Sequence, residues 1–211
     1  MPRSTWGSDT PTSTEDARER LIDAAEGCFE HYGVAKTTIE DIAATARVSR
    51  ATVYRYFDGG RDEIMLEFLV REARRFLSRL AERVAHEPDT ASALTEGIAF
   101  TVESATRDPT LRLLFAPEVA GQTGSIAGAS TALLDLTREF LRPLVGDTRP
   151  IGRLRDGLDL DDAAGYVLRI IVSLLCVPLP PGRWGDPAGL RRYILAFVVP
   201  GLGGADPQGP G

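Results

Sequence analysis

The stretch from Thr37 to Phe57, TTIEDIAATARVSRATVYRYF, constrains the fold of this 211-residue chain more than any other. It holds two short runs with the apolar spacing of helices, separated by a break at Arg47. Thr37 is followed three positions later by Glu40, which is the pattern of a capping box, and Ser49 is suited to cap a second helix. Two short capped helices joined by a tight turn form a helix-turn-helix.

The second of these helices has one apolar side and one polar side. Val53 and Phe57 are four residues apart and are predicted to face inward. An α-helix fits the major groove of DNA, where guanidinium and hydroxyl groups can hydrogen-bond to base edges. The side predicted to face outward carries such groups, on Arg50, Thr52, Arg55 and Tyr56.

The residues from Leu21 to Ile64 resemble, in their order and spacing, the TetR family of transcriptional regulators. The residues that carry this resemblance are Ala25, Phe29 and Gly33 in a preceding helix, Thr38, Ile42-Ala43, Val48-Ser49 and the closing Val53-Tyr54-Arg55-Tyr56-Phe57. Beyond Ile64 only the helical layout is similar. The resemblance implies an all-α protein with an N-terminal three-helix DNA-binding domain and a C-terminal helical domain for effector binding and dimerisation.

Candidate DNA contacts follow from side-chain chemistry, and the resemblance implies the same roles at the matched positions. Arginine can pair with two acceptors of guanine, and threonine offers a hydroxyl or a methyl, so Arg50, Thr52 and Arg55 are candidates to read bases. Ala51 offers a methyl group beside them. The residues suited to phosphate contacts are Thr38, Ser49, Tyr54 and Tyr56. For Tyr54, a place in the core with a solvated hydroxyl is an equal alternative.

Two positions depart from the family's pattern. Arg47 stands in the turn where glycine is usual, so we expect either a strained backbone or a slightly different turn there. Gly60 stands three places after Phe57, where the family usually has lysine, and Arg61 comes one place later. The phosphate contact of that lysine is therefore carried over to Arg61.

The formal net charge of −6 does not exclude double-stranded DNA as a partner. Counterion release depends on the face that meets the phosphates, and the residues from Arg47 to Phe57 include three arginines and no acid. Acidic residues elsewhere would restrict DNA contact to this one surface.

Catalysis, cofactors and metal sites are not expected. The chain has two histidines, His31 and His86, and no nucleophile at a spacing that suggests activation. Its two cysteines are too few for a zinc site or a disulfide framework, which fits a reducing cytoplasm. The first ten residues lack the apolar core of a secretory signal, and the most apolar stretch, Ile170 to Leu179, is too short to span a bilayer. We therefore expect a cytoplasmic protein without membrane contact.

Helical spacing of apolar residues continues after Ile64, and no stretch shows the sustained alternation typical of strands. Two Asp-Pro pairs, at 108–109 and 186–187, are suited to helix starts. The predicted all-α chain has four parts, a flexible arm (1–13), the helix-turn-helix DNA-binding domain (14–60), the effector-binding and dimerisation domain (61–200) and a flexible tail (201–211).

The segment from Asp161 to Val177 is apolar around most of its circumference, and the last helix has the same excess. The protein's own core can cover one side, so we expect a second copy to cover the other in a four-helix bundle, which is also where TetR-like proteins dimerise. A central helix buried in a monomer is the alternative. The predicted interface residues are Val167, Ile170, Ile171, Leu174, Leu190, Tyr193, Ile194 and Phe197.

The resemblance also implies that a small molecule binds among the helices between Arg61 and Val177. Candidate lining residues are Phe100, Glu103, Leu114, Phe115 and Phe140, for which ordinary core packing is the alternative. The function predicted is a ligand-responsive bacterial regulator, with repression as the family's usual direction, that binds a palindromic operator as a homodimer. The alternative is a helical dimeric ligand- or protein-binding module without specific DNA binding.

Overall fold

The computed structural model describes Trp6 and residues 11–115, 126–145, 154–180 and 186–202. The regular elements in these parts of the chain are helices, which confirms the all-α prediction. They are α1 (Thr14–Tyr32), α2 (Ile39–Thr45), α3 (Arg50–Tyr56), α4 (Gly60–Val84), α5 (Thr90–Arg107), α6 (Pro109–Leu114), α7 (Ile126–Leu141), α8 (Leu160–Cys176), α9 (Pro187–Tyr193) and α10 (Val199–Leu202). A 3₁₀ turn, Arg142–Leu144, follows α7, and a π-helical turn, Ile194–Val198, joins α9 to α10.

Most of the predicted arm and tail lies outside the described residues, since only Trp6 and 11–13 of the arm and 201–202 of the tail are described. The described residues up to Arg71 form one compact unit, and those from Glu72 onward form a second. Because the boundary falls inside α4, this helix contributes residues to both units.

The first unit is a three-helix core completed by the start of α4. Ser13 caps α1 by accepting a hydrogen bond from the backbone N–H of Asp16 at 3.0 Å. Gly33 ends this helix with φ of +81°, a backbone conformation that favours glycine. Val53 and Phe57 are fully buried, which confirms their predicted inward direction. The other fully buried residues of this core include Leu21, Ala25, Ile42 and Ile64.

The predicted cap of α2 is wrong by one residue. Thr38 is the N-cap, and its hydroxyl accepts a hydrogen bond from the backbone N–H of Asp41 at 3.2 Å. The Asp41 carboxylate accepts in turn from the backbone N–H of Thr38 at 2.9 Å, so the capping box pairs these two residues. Thr37 is instead 2% exposed, and its hydroxyl donates to the carbonyl of Gly33.

The second unit packs α5 against α6, α8 and α9, and α7 against α8. Both predicted Asp-Pro helix starts are confirmed. Asp108 accepts the backbone N–H of Thr110 at 2.9 Å, and Asp186 accepts that of Gly189 at 2.5 Å. Each proline stands at the first helical position, where a missing N–H costs no hydrogen bond.

Candidate nucleic-acid interface and ligand cavity

The turn before α3 holds that helix in place. Ser49 caps α3 as predicted, accepting the backbone N–H of Thr52 at 3.1 Å. The backbone N–H of Val48 donates to the carbonyl of Ala43 at 2.9 Å, which closes the turn onto α2. Arg47 has φ of +57°, the only positive value at a non-glycine residue in the described part of the chain. The strain expected from the missing family glycine is therefore present in the backbone.

The outer side of α3 presents most of the predicted DNA contacts. The exposed ones are Arg50, Ala51, Tyr54 and Arg55 of α3, together with Ser49 at its cap and Thr38 at the cap of α2. Tyr56 is half-buried. The Arg55 guanidinium lies 4.8 Å from the centroid of the Tyr56 ring and donates to its hydroxyl at 3.2 Å. Arg50 approaches Glu40 of α2, with 2.8 Å between Nη1 and Oε1. The surface therefore combines two cations with hydroxyl groups, as contact with phosphates and base edges requires.

The expectation that Thr52 faces outward is wrong. Thr52 is 2% exposed, and its hydroxyl lies 2.9 Å from that of Ser49. It directly precedes Val53, and a helical step of one residue rotates a side chain by only about 100°. Thr52 therefore lies at the buried edge of α3 and supports the Ser49 cap instead of offering a hydroxyl to DNA.

Tyr54 is 45% exposed, and its ring covers Gly60. A Cβ at Gly60 would lie 3.0 Å from Cε1 of Tyr54, and this glycine has φ of +62°. A side chain at position 60 would crowd the Tyr54 ring and would need a backbone conformation that favours glycine. This gives a physical reason why glycine stands here in place of the family's lysine.

Arg61 does not take over the lysine's outward position in this structure. Its Nε donates to the carbonyl of Thr37 at 2.7 Å, another guanidinium nitrogen donates to the carbonyl of Val34, and Nη1 pairs with Asp62 at 3.3 Å. All three nitrogens therefore contact acceptors of the protein itself. This corrects the expected phosphate contact, because Arg61 clamps the segment between α1 and α2.

Arg18 of α1 forms a second clamp, which no pattern in the sequence predicts. Its guanidinium donates to the carbonyl of Tyr56, pairs with Glu67 and Glu63, and lies 4.0 Å from the centroid of the Phe57 ring. These contacts join α1 to the end of α3 and the start of α4. The only sequence signal was the i, i+4 spacing of the two glutamates, which does not identify a partner 45 residues away.

Trp6, in the predicted flexible arm, packs on the interface. Its ring meets that of Tyr56 edge-on, with 6.2 Å between centroids. The arm therefore touches the half-buried end of α3 at this one described position.

The structure corrects most of the predicted dimer interface. Five of its eight residues are buried in the core of the second unit, namely Val167, Ile171, Leu174, Leu190 and Ile194. Ile170 and Tyr193 are half-buried, and Phe197 is 59% exposed. Leu195, which was not predicted, is 51% exposed beside it on the π-helical turn. The most exposed large apolar side chains near the predicted interface are therefore Phe197 and Leu195 on the π-helical turn and Val177, which is 72% exposed directly after α8.

A cavity of about 70 Å³ lies inside the second unit among α4, α5, α6, α7 and α8. Three of the five predicted ligand contacts, Leu114, Phe115 and Phe140, line it. Apart from Gly97, Thr101 and Thr137, its lining residues are apolar, which suits an apolar ligand.

The other two predicted ligand contacts, Phe100 and Glu103, do not line this cavity. Phe100 stacks on Phe76 with 5.7 Å between ring centroids. Glu103 lines a separate cavity of about 320 Å³ between α5, α8 and α9, and its carboxylate pairs with Arg191 at 2.7 Å in an ion-pair network. Their helical spacing predicted an inward side but not which neighbour each side chain meets.

The centre of that network is Glu96 of α5, which is 9% exposed. Arg83 of α4 donates to it at 2.7 Å, and Arg191 of α9 at 3.0 Å. Burial raises the pKa of the Glu96 carboxyl, but the hydrogen bonds from Arg191 and Arg83 outweigh burial, so its pKa lies below the ordinary value. The network ties one cavity wall, α4, to α9.

The described residues include no group of three or more metal-ligating side chains placed to hold an ion. Across the same residues, no helix is long and apolar enough to cross a membrane.

Fold and surface together define a helix-turn-helix transcriptional regulator. Residues 21–68 match the family described as bacterial regulatory proteins of the tetR family. The chain is 33% identical over 187 residues to an uncharacterised HTH-type transcriptional regulator of Mycobacterium tuberculosis, covering 89% of this chain and 86% of that protein. The protein belongs to the TetR family of transcriptional regulators.

Solved structures of the same fold agree in their helical layout. The TetR family repressor AlkX from Dietzia, implicated in biodegradation of n-alkanes, has a TM-score of 0.61 and 23% identity, covering 91% of this chain and 96% of its own. The FadR repressor of Thermus thermophilus in complex with lauroyl-CoA has a TM-score of 0.57 and 22% identity, covering 92% of this chain and 99% of its own.

Proposed function

We propose that this protein is a repressor that binds a palindromic operator as a homodimer and is released by a small apolar effector. The observation that carries the proposal is α3, a capped helix whose outer side holds Arg50 and Arg55, in a chain of the TetR family. The repressor direction is supported by the AlkX and FadR relatives of this fold, both of which are repressors. The protein acts by binding and not by catalysis, in the cytoplasm where bacterial DNA lies.

The DNA contacts that we propose are those the surface leaves accessible. Arg50 and Arg55 read base edges, and Ala51 offers its methyl group to a thymine. The residues proposed to contact phosphates are Thr38, Ser49, Tyr54 and Tyr56. Thr52 and Arg61 are not among the proposed contacts. Thr52 is buried beside the Ser49 cap, and Arg61 donates to the segment between α1 and α2.

The dimer forms through the end of the chain. Phe197 and Leu195 are each more than half exposed, and the Tyr193 ring contacts the Phe197 ring in a tilted arrangement with 5.1 Å between centroids. A second copy that covers this surface by two-fold symmetry buries the same residues on both subunits. Two α3 helices related by that axis then read the two halves of a palindrome.

The effector binds in the apolar cavity among α4, α5, α6, α7 and α8 of the second unit. Pockets for small ligands commonly enclose roughly 300–1,000 Å³, so an effector of ordinary size must widen the present cavity of about 70 Å³. One wall is α4, whose first residues belong to the unit that holds α3. A ligand that prefers the widened arrangement shifts the protein toward it, and α4 transmits the change.

The apolar lining supports a ligand with a hydrocarbon or aromatic body. The complex of the Thermus FadR with lauroyl-CoA shows that this fold can accommodate such a ligand.

We propose the same domain limits as the sequence predicts. Residues 14–60 form the DNA-binding domain and residues 61–200 the effector-binding and dimerisation domain, with an arm (1–13) before them and a tail (201–211) after them.

Enrichment of random duplex DNA by the purified protein tests this function. We expect recovery of a palindrome by the wild type and its loss or alteration in Arg50→Ala. Arg74→Ala is the matched control, because Arg74 is an exposed arginine of α4 in the second unit and its removal changes the net charge equally. Failure of the wild type to enrich any sequence at low salt would favour the protein- or ligand-binding module instead.

The dimer has its own test. Phe197→Glu places a charge on the exposed apolar surface, so we expect monomers with weak operator affinity in sedimentation and binding measurements. A variant that stays dimeric would move the interface away from the end of the chain.

A further inference from the structure

The ion pair between Glu40 and Arg50 lies within the proposed DNA surface. Oε1 of Glu40 is 2.8 Å from Nη1 of Arg50, and the two side chains are 56% and 60% exposed. The residues from Arg47 to Phe57 include three arginines, and in the part of the chain that the structure describes only Arg50 of these has a carboxylate partner. A carboxylate in this position is unexpected, because it opposes the phosphates that the surface has to meet.

Neighbouring carboxylates have other partners. Asp41 completes the capping box of Thr38 at 2.9 Å, and Asp58 accepts the backbone N–H of Gly59 at 2.9 Å. Neither contacts an arginine of α3 among the described residues. Glu40 takes no part in the capping box; it lies in the first turn of α2, where a carboxylate also favours the helix dipole, and its side chain reaches Arg50.

The contact with Glu40 uses one end of the guanidinium. Arg50 makes no hydrogen bond through Nε or Nη2 to any residue that the structure describes, and Glu40 approaches Nη1. The N–H groups of Nε and Nη2 point along one edge of the planar guanidinium, which matches the O6 and N7 acceptors of guanine. Arg50 can therefore engage guanine while Glu40 still holds the opposite end.

We propose that Glu40 is a specificity-determining residue for the operator, acting through Arg50. It positions the guanidinium for a guanine and lowers affinity for DNA of other sequence. In a non-cognate complex the Arg50 guanidinium can pair only with phosphates, and Glu40 competes with those phosphates for it. The Glu40 carboxylate also repels the DNA backbone. In the cognate complex the two hydrogen bonds to guanine are made without giving up the ion pair. This inference rests on the proposed function as a sequence-specific DNA-binding protein.

Equilibrium binding to the enriched operator and to a random duplex of equal length, over a range of salt concentrations, tests the inference. In Glu40→Gln we expect affinity for the random duplex to rise about 1.4- to 5-fold, the range of an exposed ion pair. The slope of log affinity against log salt should steepen by about 0.9, one additional phosphate contact. Operator affinity should rise less or fall, so that the ratio of the two affinities shrinks.

Glu30→Gln is the matched control, because Glu30 is an exposed acid of α1 and its replacement changes the net charge by the same amount. It should change neither the slope nor the ratio. In the Arg50→Ala background, Glu40→Gln should no longer steepen the salt slope. That protein has no Arg50 guanidinium that could leave Glu40 and contact a phosphate.

Three results are informative in different ways. If Glu40→Gln behaves like Glu30→Gln, the inference is wrong while the proposed function stands. If it strengthens operator and random duplex equally, the effect is one of total charge, and specificity does not depend on Glu40. If the wild type binds neither duplex, the proposed function fails, and the inference fails with it.

Discussion

The two units of this protein use buried space in opposite ways. In the first unit, α3 is held by a cap at Ser49, a closed turn and the Arg18 clamp. The side chains that α3 turns inward, Val53 and Phe57, have no exposed surface. In the second unit, the helices leave a cavity with an apolar lining at their centre. A surface that reads base edges needs a fixed geometry, whereas a ligand site needs space. Under the proposed function, each unit serves a different kind of recognition.

The largest expected effect is on the core of the first unit. Phe57 is fully buried under the Arg18 guanidinium, so Phe57→Ala should lower the free energy of unfolding of this unit by about 3–5 kcal/mol. Amide hydrogen exchange of α1 and α3 measures the loss. Tyr32→Ala, at a 49% exposed aromatic of the same unit, should cost within about 0.5 kcal/mol. Equal costs for the two variants would contradict the tight packing described for α3.

The ion-pair network of the second unit should give the next largest effect. Glu96→Gln removes charged hydrogen bonds to Arg83 and Arg191 and should cost about 1.5–3 kcal/mol at pH 7. Since the folded-state pKa of Glu96 is lowered, its contribution is present above the unfolded-state pKa of about 4.5 and is lost as the pH falls through the folded value. Acid titration of unfolding should therefore show a loss below about pH 4.5 in the wild type that Glu96→Gln lacks. Parallel profiles for the two proteins would exclude this role.

Filling the cavity among α4 to α8 should weaken ligand binding. Leu136 is 8% exposed and lines the cavity, so Leu136→Trp should weaken binding of the apolar dye N-phenyl-1-naphthylamine at least about ten-fold and cost about 1–3 kcal/mol. Fluorescence titration measures the affinity. Leu136→Met conserves volume and should cost less than about 1.5 kcal/mol, with the dye still bound. Undiminished dye binding by the tryptophan variant would place the ligand elsewhere.

The smallest effect expected concerns two glycines of the first unit. Gly60→Ala forces a Cβ to within 3.0 Å of Tyr54 at φ of +62° and should cost about 1–2 kcal/mol. Gly27→Ala is the control, because Gly27 lies inside α1 with nothing within 4 Å of the added Cβ, and it should stabilise by about 0.5–1 kcal/mol. Thermal unfolding gives both values. Changes of the same sign would mean that the Tyr54 ring does not constrain Gly60.

Local signals in the sequence predicted much of this architecture. Ser49 caps α3 and both Asp-Pro pairs start helices, since caps act within three or four residues. The cap of α2 was displaced by one residue because Thr37 and Thr38 are chemically alike. Only packing shows that Thr37 is buried and that Asp41 faces Thr38.

The sequence by itself determined the helices, the turn and the family, because these depend on contacts between residues close in the chain. Tertiary structure alone decided which apolar residues of α8 belong to the protein's own core and which of the predicted effector contacts surround the cavity among α4 to α8. It also decided that Arg18 and Arg61 act as clamps and that Glu40 meets Arg50. The physical reason is that apolar burial and ion pairing carry no directional signal along the chain. Their partners are selected only when the helices pack.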